Sequence, residues 1–201
     1  MPLFPHRIPN VVHHVRVRDE SIGGDNPFKW EMRLTHEIVG REKCIIFALP
    51  GAFTPTCSTY QLPDFEELYP RFQKAGIENI FCVSVNDTFV MNKWAEDQDL
   101  EHVRVIPDGS GKFTSSIGMD VYKDNLGFGI RSWRYALVVK NFEIEQQFVE
   151  RGFKHNALDD PYGVSSPQNI LAFLEGREYD AGGEALQLNL FDGIGSEDKI
   201  G

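Results

Sequence analysis

The feature that most constrains this chain is the seam between Cys44–Leu49 and the loop Pro50-Gly51-Ala52-Phe53-Thr54-Pro55-Thr56 that follows it. Cys-Ile-Ile-Phe-Ala-Leu is a continuous apolar run with β-branched and aromatic members. Such a run reads as a strand covered on both faces, which demands a layer above the sheet and a layer below. Beyond the loop, Leu62, Phe65, Leu68, Tyr69 and Phe72 fall at helical spacing, with Gly76 as the stop. Pro63 and Pro70 lie inside that pattern and predict an irregular or kinked helix. Cys57 stands at the seam, past the buried strand and at the opening of the helix.

The rest of the chain extends this layered pattern. Ile80–Val85 is a second buried strand, Asn86-Asp87 caps a helix over Thr88–Asp97, and Val103–Ile106 is a short third strand. Lys112–Ile117 reads as helical. Arg134–Val139 and Ile144–Val149 are two strands around a Lys140-Asn141 turn. A last helix over Pro167–Leu174 is expected to start with a capping box of Ser165 and Gln168. Upstream, the alternation over Val11–Arg18, a Gly23–Pro27 turn and a strand near Lys29–Arg33 form an N-terminal β-hairpin. The fold class is α/β, a mixed central sheet flanked by helices. The folded domain is expected over residues 1–176, with 177–201 an acidic, Gly-rich C-terminal tail.

Composition excludes several function classes. A chain of 201 residues suits one domain, and no apolar run is long enough to span a bilayer. The N-terminus, Met-Pro-Leu-Phe-Pro-His-Arg, lacks the layout of a signal peptide, so a cytoplasmic protein is expected. A formal charge of −10 repels phosphate backbones and makes nucleic acid an unsuitable partner. Three cysteines are too few for a disulfide scaffold and are expected as free thiols. The six histidines show no ligand spacing, so no metal is expected. Gly109-Ser110-Gly111 and Gly127-Phe128-Gly129 lack the ending of a phosphate loop and read as turns.

The question is then which thiol reacts. Cys44 and Cys82 sit within apolar strands, as small buried hydrophobes do. Cys57 is flanked by Pro, Thr and Ser at the edge where open α/β sheets gather their sites. An ordinary thiol of pKa about 8.5 is only about 3% thiolate at neutral pH, and lowering it by about two units makes most of it nucleophilic. A helix start favours that shift through its unpaired N–H groups and partial positive charge. Thr54 has a hydroxyl that can donate to one atom and accept from another, although it can also serve simply as a helix cap. Pro50 and Pro55 stiffen the loop and screen the sulfur. A cation is still required to meet the charge that gathers on a leaving oxygen.

Pro50-Gly51-Ala52-Phe53-Thr54-Pro55-Thr56-Cys57 resembles the peroxiredoxin signature Pro-x-x-x-Thr-x-x-Cys. Its extended form, ending in Ser58, is similar to the atypical subfamily of mammalian type-five, plant type-II and bacterial glutaredoxin-fused peroxiredoxins. Val83–Asp87 and Arg131-Ser132-Trp133-Arg134-Tyr135-Ala136 match further motifs of that subfamily in the expected order. The resemblance runs from about Pro9 to Glu175. It implies a thioredoxin-like fold, a homodimer, and a peroxidase of antioxidant defence that reduces hydrogen peroxide and organic hydroperoxides through a sulfenic acid. It assigns Cys57 as the peroxidatic cysteine, with Pro50, Thr54 and Arg134 completing the site. An antiparallel strand beginning at Arg134 would deliver that residue to the same edge independently. Arg131 has a second reading as a surface or interface charge.

Two departures shape the expected chemistry. No cysteine follows Cys82, and no glutaredoxin module with its own Cys-x-x-Cys follows the domain. An external thiol, from glutathione with glutaredoxin or from thioredoxin, is therefore the expected reductant, with no bound cofactor. Strand rise puts the Cα of Cys44 about 17 Å below the sheet edge and that of Cys82 about 10 Å below its strand end. A disulfide needs roughly 4.4–6.8 Å, so neither is expected to pair with Cys57. Two other functions fit less well. A thioredoxin-type thiol–disulfide oxidoreductase would want Cys-x-x-Cys, where this chain has Thr54-x-x-Cys57. A non-enzymatic binding protein would act through the tail, where Gln187-Leu188-Asn189-Leu190-Phe191 resembles a sliding-clamp docking peptide. The alternative for Ala185–Phe191 is a cover over apolar surface.

Overall fold

The structure is a computed structural model that describes residues 5–182. The Gln187–Phe191 peptide lies outside the described residues. A hairpin of β1 (Val12–Arg18) and β2 (Phe28–Leu34) comes first, followed by a short helix, α1 (Thr35–Val39). The central sheet has the order β5-β4-β3-β8-β9, built from β3 (Cys44–Ala48), β4 (Asn79–Ser84), β5 (Val103–Pro107), β8 (Tyr135–Lys140) and β9 (Glu143–Val149). β3 runs parallel to β4 and antiparallel to β8. The helices are α2 (Leu62–Glu67), α3 (Tyr69–Lys74), α4 (Thr88–Asp97), α5 (Lys112–Ser116) and α6 (Pro167–Leu174). A small second hairpin pairs β6 (Asp120–Tyr122) with β7 (Ile130–Ser132).

The apolar run of β3 is buried at every residue because the strand is central and covered twice. Cys44, Ile46 and Ala48 point into a core cluster with Phe81, Trp133 and Leu137. Ile45, Phe47 and Leu49 point into the opposite cluster with Phe65, Phe72, Trp94 and Phe148. Cys44 and Cys57 therefore lie on different faces of the sheet, a stronger separation than depth along the strand alone.

Cys82 differs. It points to the same face as Cys57 and belongs to the same core cluster, so the distance along the strand understates how near the two lie. Burial, and then the charge of Cys57, push the Cys82 thiol well above the ordinary range.

The expected kinked helix is two helices, α2 and α3, broken at Leu68 ahead of Pro70. The capping of α4 by Asp87 is as expected, with its carboxylate accepting from Phe89 N and Val90 N. The start of α6 requires correction. Ser165 is occupied elsewhere, its hydroxyl donating to Glu150 Oε1 at 2.7 Å, and Ser166 accepts from Asn169 N instead. Gln168 turns away to Asp64. Packing also continues past residue 176, where Tyr179 meets the rings of Phe148 and Phe173 and Gly182 bridges to Val149.

Candidate active site

Registry brings the site together at one sheet edge. Ala48, the last residue of β3, faces Val83 on one side and Tyr135, the first residue of β8, on the other. The chain leaving β3 and the chain entering β8 thus meet, which places the Pro50–Cys57 loop beside Arg134. Arg134 lies immediately before β8, which starts one residue later than the expected Arg134.

The loop is tightly held. Thr54 Oγ1 donates to Gly51 O at 2.8 Å, which leaves its oxygen free to accept from a bound hydroperoxide. Gly51 is required by close approach, since a Cβ there would come within 2.8 Å of Arg131 Nη1. Phe53 has a positive φ of 63°, a strained conformation costing on the order of 1–3 kcal/mol in a non-glycine residue. Pro50 is buried, whereas Pro55 is exposed and opens the helical turn.

Cys57 falls in the first turn and is itself buried. From Cys57 to Gln61 the turn is π-helical, with Leu62 N donating to Cys57 O. Pro63 supplies the reason, because its ring crowds the carbonyl four residues back and widens the turn. Ser58 is anchored to α4 by Trp94 Nε1 at 3.0 Å.

Arg134 is 1% exposed, and its guanidinium is paired on every side. Nε donates to Pro161 O at 3.0 Å and Nη2 to Asp160 Oδ1 at 2.5 Å. Nη1 donates to Cys57 Sγ at 3.5 Å and also to Gln61 Oε1. The Tyr162 ring lies 5.7 Å away beneath it. Burial alone would lower the Arg134 pKa, but the charges of Cys57 and Asp160 and their hydrogen bonds hold it above the ordinary value. Glu150 fixes the loop that supplies these partners by accepting from Gly163 N and Ser165 N, each at 2.8 Å.

Three further residues enter the site. Arg131, open to reading as a surface charge, is half-buried and reaches Pro50 O and Asn86 Oδ1, both at 3.4 Å. Burial lowers its pKa and the Cys57 charge raises it in part. Asn86, expected only as part of a helix cap, also accepts from Ala52 N at 3.0 Å and Ser84 Oγ at 2.7 Å. Its position just past a buried strand, at the edge holding Cys57, was the available signal. Gln61 carried none. A cleft of about 240 Å³ lined by His13, Trp30, Asp87 and Lys112 contains none of Pro50, Thr54, Cys57 or Arg134.

A buried thiol facing a paired guanidinium, with a threonine hydroxyl in the loop that leads to it, is equipped to attack an O–O bond. Residues 34–160 match the Redoxin family profile. The chain is 60% identical over 168 residues to Peroxiredoxin y4vD of Sinorhizobium fredii, covering 84% of this chain and 89% of that protein. The chain belongs to the peroxiredoxin family. This peroxiredoxin is 45% identical to the hybrid peroxiredoxin hyPrx5 of Haemophilus influenzae, covering 84% of this chain and 64% of that one. The solved Plasmodium falciparum antioxidant protein, a 1-Cys peroxiredoxin, superposes with a TM-score of 0.78 at 36% identity, covering 85% of this chain and 98% of that one. As a peroxiredoxin, the protein has the thioredoxin-like fold and is a thiol-dependent peroxidase, an oxidoreductase with peroxide as acceptor.

Proposed function

We propose that Cys57 is the thiol that attacks peroxide and that an external thiol regenerates it. The observation that carries this reading is the 3.5 Å approach of Arg134 Nη1 to Cys57 Sγ inside the protein. The thiolate attacks one peroxide oxygen, the O–O bond breaks, and the departing oxygen leaves as water or an alcohol after taking a proton. Cys57 becomes a sulfenic acid. Thr54 Oγ1 accepts from the peroxide O–H, Arg134 and Arg131 meet the negative charge, and Pro50 closes the site to bulk water. A thiol then attacks the sulfenic sulfur, water leaves, and a second thiol reduces the mixed disulfide.

Glutathione with glutaredoxin is the favoured reductant and thioredoxin the alternative. Cys44 lies across the sheet and burial pushes its pKa up to about 12, while Cys82 is fully buried, so neither offers a ready internal partner. A small thiol enters the loop past half-exposed Phe53 more readily than a folded partner. The glutaredoxin-fused members that the sequence resembles suggest the same route. The exposed Trp30, Phe53 and Phe89 favour a homodimer, and three free cysteines suit a reducing cytoplasm. Stopped-flow peroxide consumption with glutathione and glutaredoxin, with thioredoxin and its reductase, or with neither tests the reading. Turnover should need one of the two systems and vanish in Cys57→Ser. Full turnover in Cys57→Ser would overturn it.

A further inference from the structure

We propose that Gln61 is a positioning residue for peroxide reduction, its neutral amide aiming the Arg134 guanidinium at Cys57 without consuming the guanidinium charge. Gln61 follows Cys57 by four positions in one helical turn, a spacing that puts two side chains on the same face. Both side chains meet the same nitrogen, because Arg134 Nη1 donates to Cys57 Sγ and to Gln61 Oε1. The Gln61 side chain is fully buried.

Arg134 itself fixes the orientation of that amide. A guanidinium only donates, so the amide oxygen must face Nη1 and the amide nitrogen must point away. Gln61 Nε2 then has no hydrogen-bond partner among the described residues. A buried donor left in that state is not the arrangement that packing alone selects. It suits a group kept for its effect on Arg134.

Neutrality is the second part of the argument. Arg134 and Arg131 face the Cys57 charge, Asp160 pairs with Arg134, and buried Lys123 feels both Asp160 and Arg134. Tyr162 and Cys82 also face the cluster, and burial raises the pKa of both, which keeps them uncharged. A carboxylate at position 61 would add an anion beside the sulfur and compete with the thiolate for Nη1. Asp160 already supplies the carboxylate on Nη2, so an amide at Nη1 orients the fork while leaving that N–H polarised toward sulfur.

The proposal rests on Cys57 being the reacting thiol, which Cys57→Ser tests separately in the same assays. Gln61→Met keeps size and removes the acceptor. It should slow the second-order reaction with hydrogen peroxide by about tenfold or more, because a misaimed donor costs rate out of proportion to the displacement. The pH midpoint of Cys57 alkylation by iodoacetamide should stay within about half a unit, since the Arg134 charge remains. Gln61→Glu should instead move that midpoint upward by about one unit or more. A residue that only packs would leave the Gln61→Met peroxide rate at the wild-type value. Gln61→Met reacting with peroxide at the wild-type rate would overturn the proposal, as would an unmoved midpoint in Gln61→Glu. Near-ultraviolet circular dichroism establishes folding first, and if Gln61→Met does not fold, Gln61→Glu decides.

Discussion

Arg134 Nη1 stands 3.5 Å from Cys57 Sγ although the two residues are 77 positions apart. Sheet registry closes that gap. Because β8 runs antiparallel to β3, the start of one meets the end of the other, and Arg134 and the Cys57 loop emerge together. The charge is then secured by Asp160, Pro161 and Gln61, so the guanidinium is oriented before any peroxide arrives. Such preorganisation is the main way a protein stabilises charge that develops during a reaction.

Arg134→Met should therefore lower the rate constant for peroxide reduction by roughly 10²–10³, the usual loss when one such donor is removed. It should also shift Cys57 alkylation by iodoacetamide to higher pH. Arg134→Lys keeps the charge but loses the planar fork, so it should recover much of the alkylation profile and little of the peroxide rate. Stopped-flow kinetics beside alkylation rates separates the two effects.

The three cysteines should divide cleanly. Cys57→Ser should abolish turnover. Cys44→Ser and Cys82→Ser should retain most of it per folded molecule, while each loses stability of order 1–3 kcal/mol from a hydroxyl buried among apolar groups. Urea unfolding paired with steady-state turnover checks both parts. Loss of turnover in folded Cys82→Ser would show that the thiol sharing the Cys57 core cluster takes part.

Asn86→Ala should loosen the loop, because Asn86 Oδ1 accepts from Ala52 N, Ser84 Oγ and Arg131 Nη1 together. The expected loss is about 1–3 kcal/mol of stability from buried groups left unpaired, with a fall of about tenfold in peroxide rate from the displaced loop. Asn86→Asp keeps the acceptor and should recover most of the stability.

The sequence made these strands and the Cys57 seam legible because the signals there are local. An unbroken apolar run marks β3, an Asp87 cap marks α4, and proline and threonine at fixed spacing mark the loop. The signals failed where the answer depends on partners distant in the chain. Ser165 and Ser166 are equivalent caps on local chemistry, and only Glu150, folded back from β9, claims the first. The strands β6 and β7 are three residues each, too short for alternation to register. Arg131, Asn86 and Gln61 look like ordinary polar residues until the sheet edge gathers them around the loop.

His13 gives a pH prediction. Its ring is buried between Pro107 O and Thr35 Oγ1, and burial lowers its pKa below 6.5, against smaller opposing effects of the Pro107 carbonyl and Asp108. The unfolded chain therefore binds a proton at higher pH than the folded one. This contribution to stability is complete above about pH 6.5 and falls away below it, by at most about 1.4 kcal/mol per pH unit. Urea midpoints from pH 7 to pH 5 should fall more steeply in the wild type than in His13→Gln. Parallel slopes would show that His13 is not responsible.

The central claim, a single peroxide-reactive cysteine resolved from outside, is tested most directly by intact-mass spectrometry after one equivalent of hydrogen peroxide, with and without glutathione. The account predicts one added oxygen on Cys57 when no thiol is present and a single glutathione adduct on Cys57 when it is. A Cys57–Cys82 disulfide formed in the absence of other thiols would contradict it.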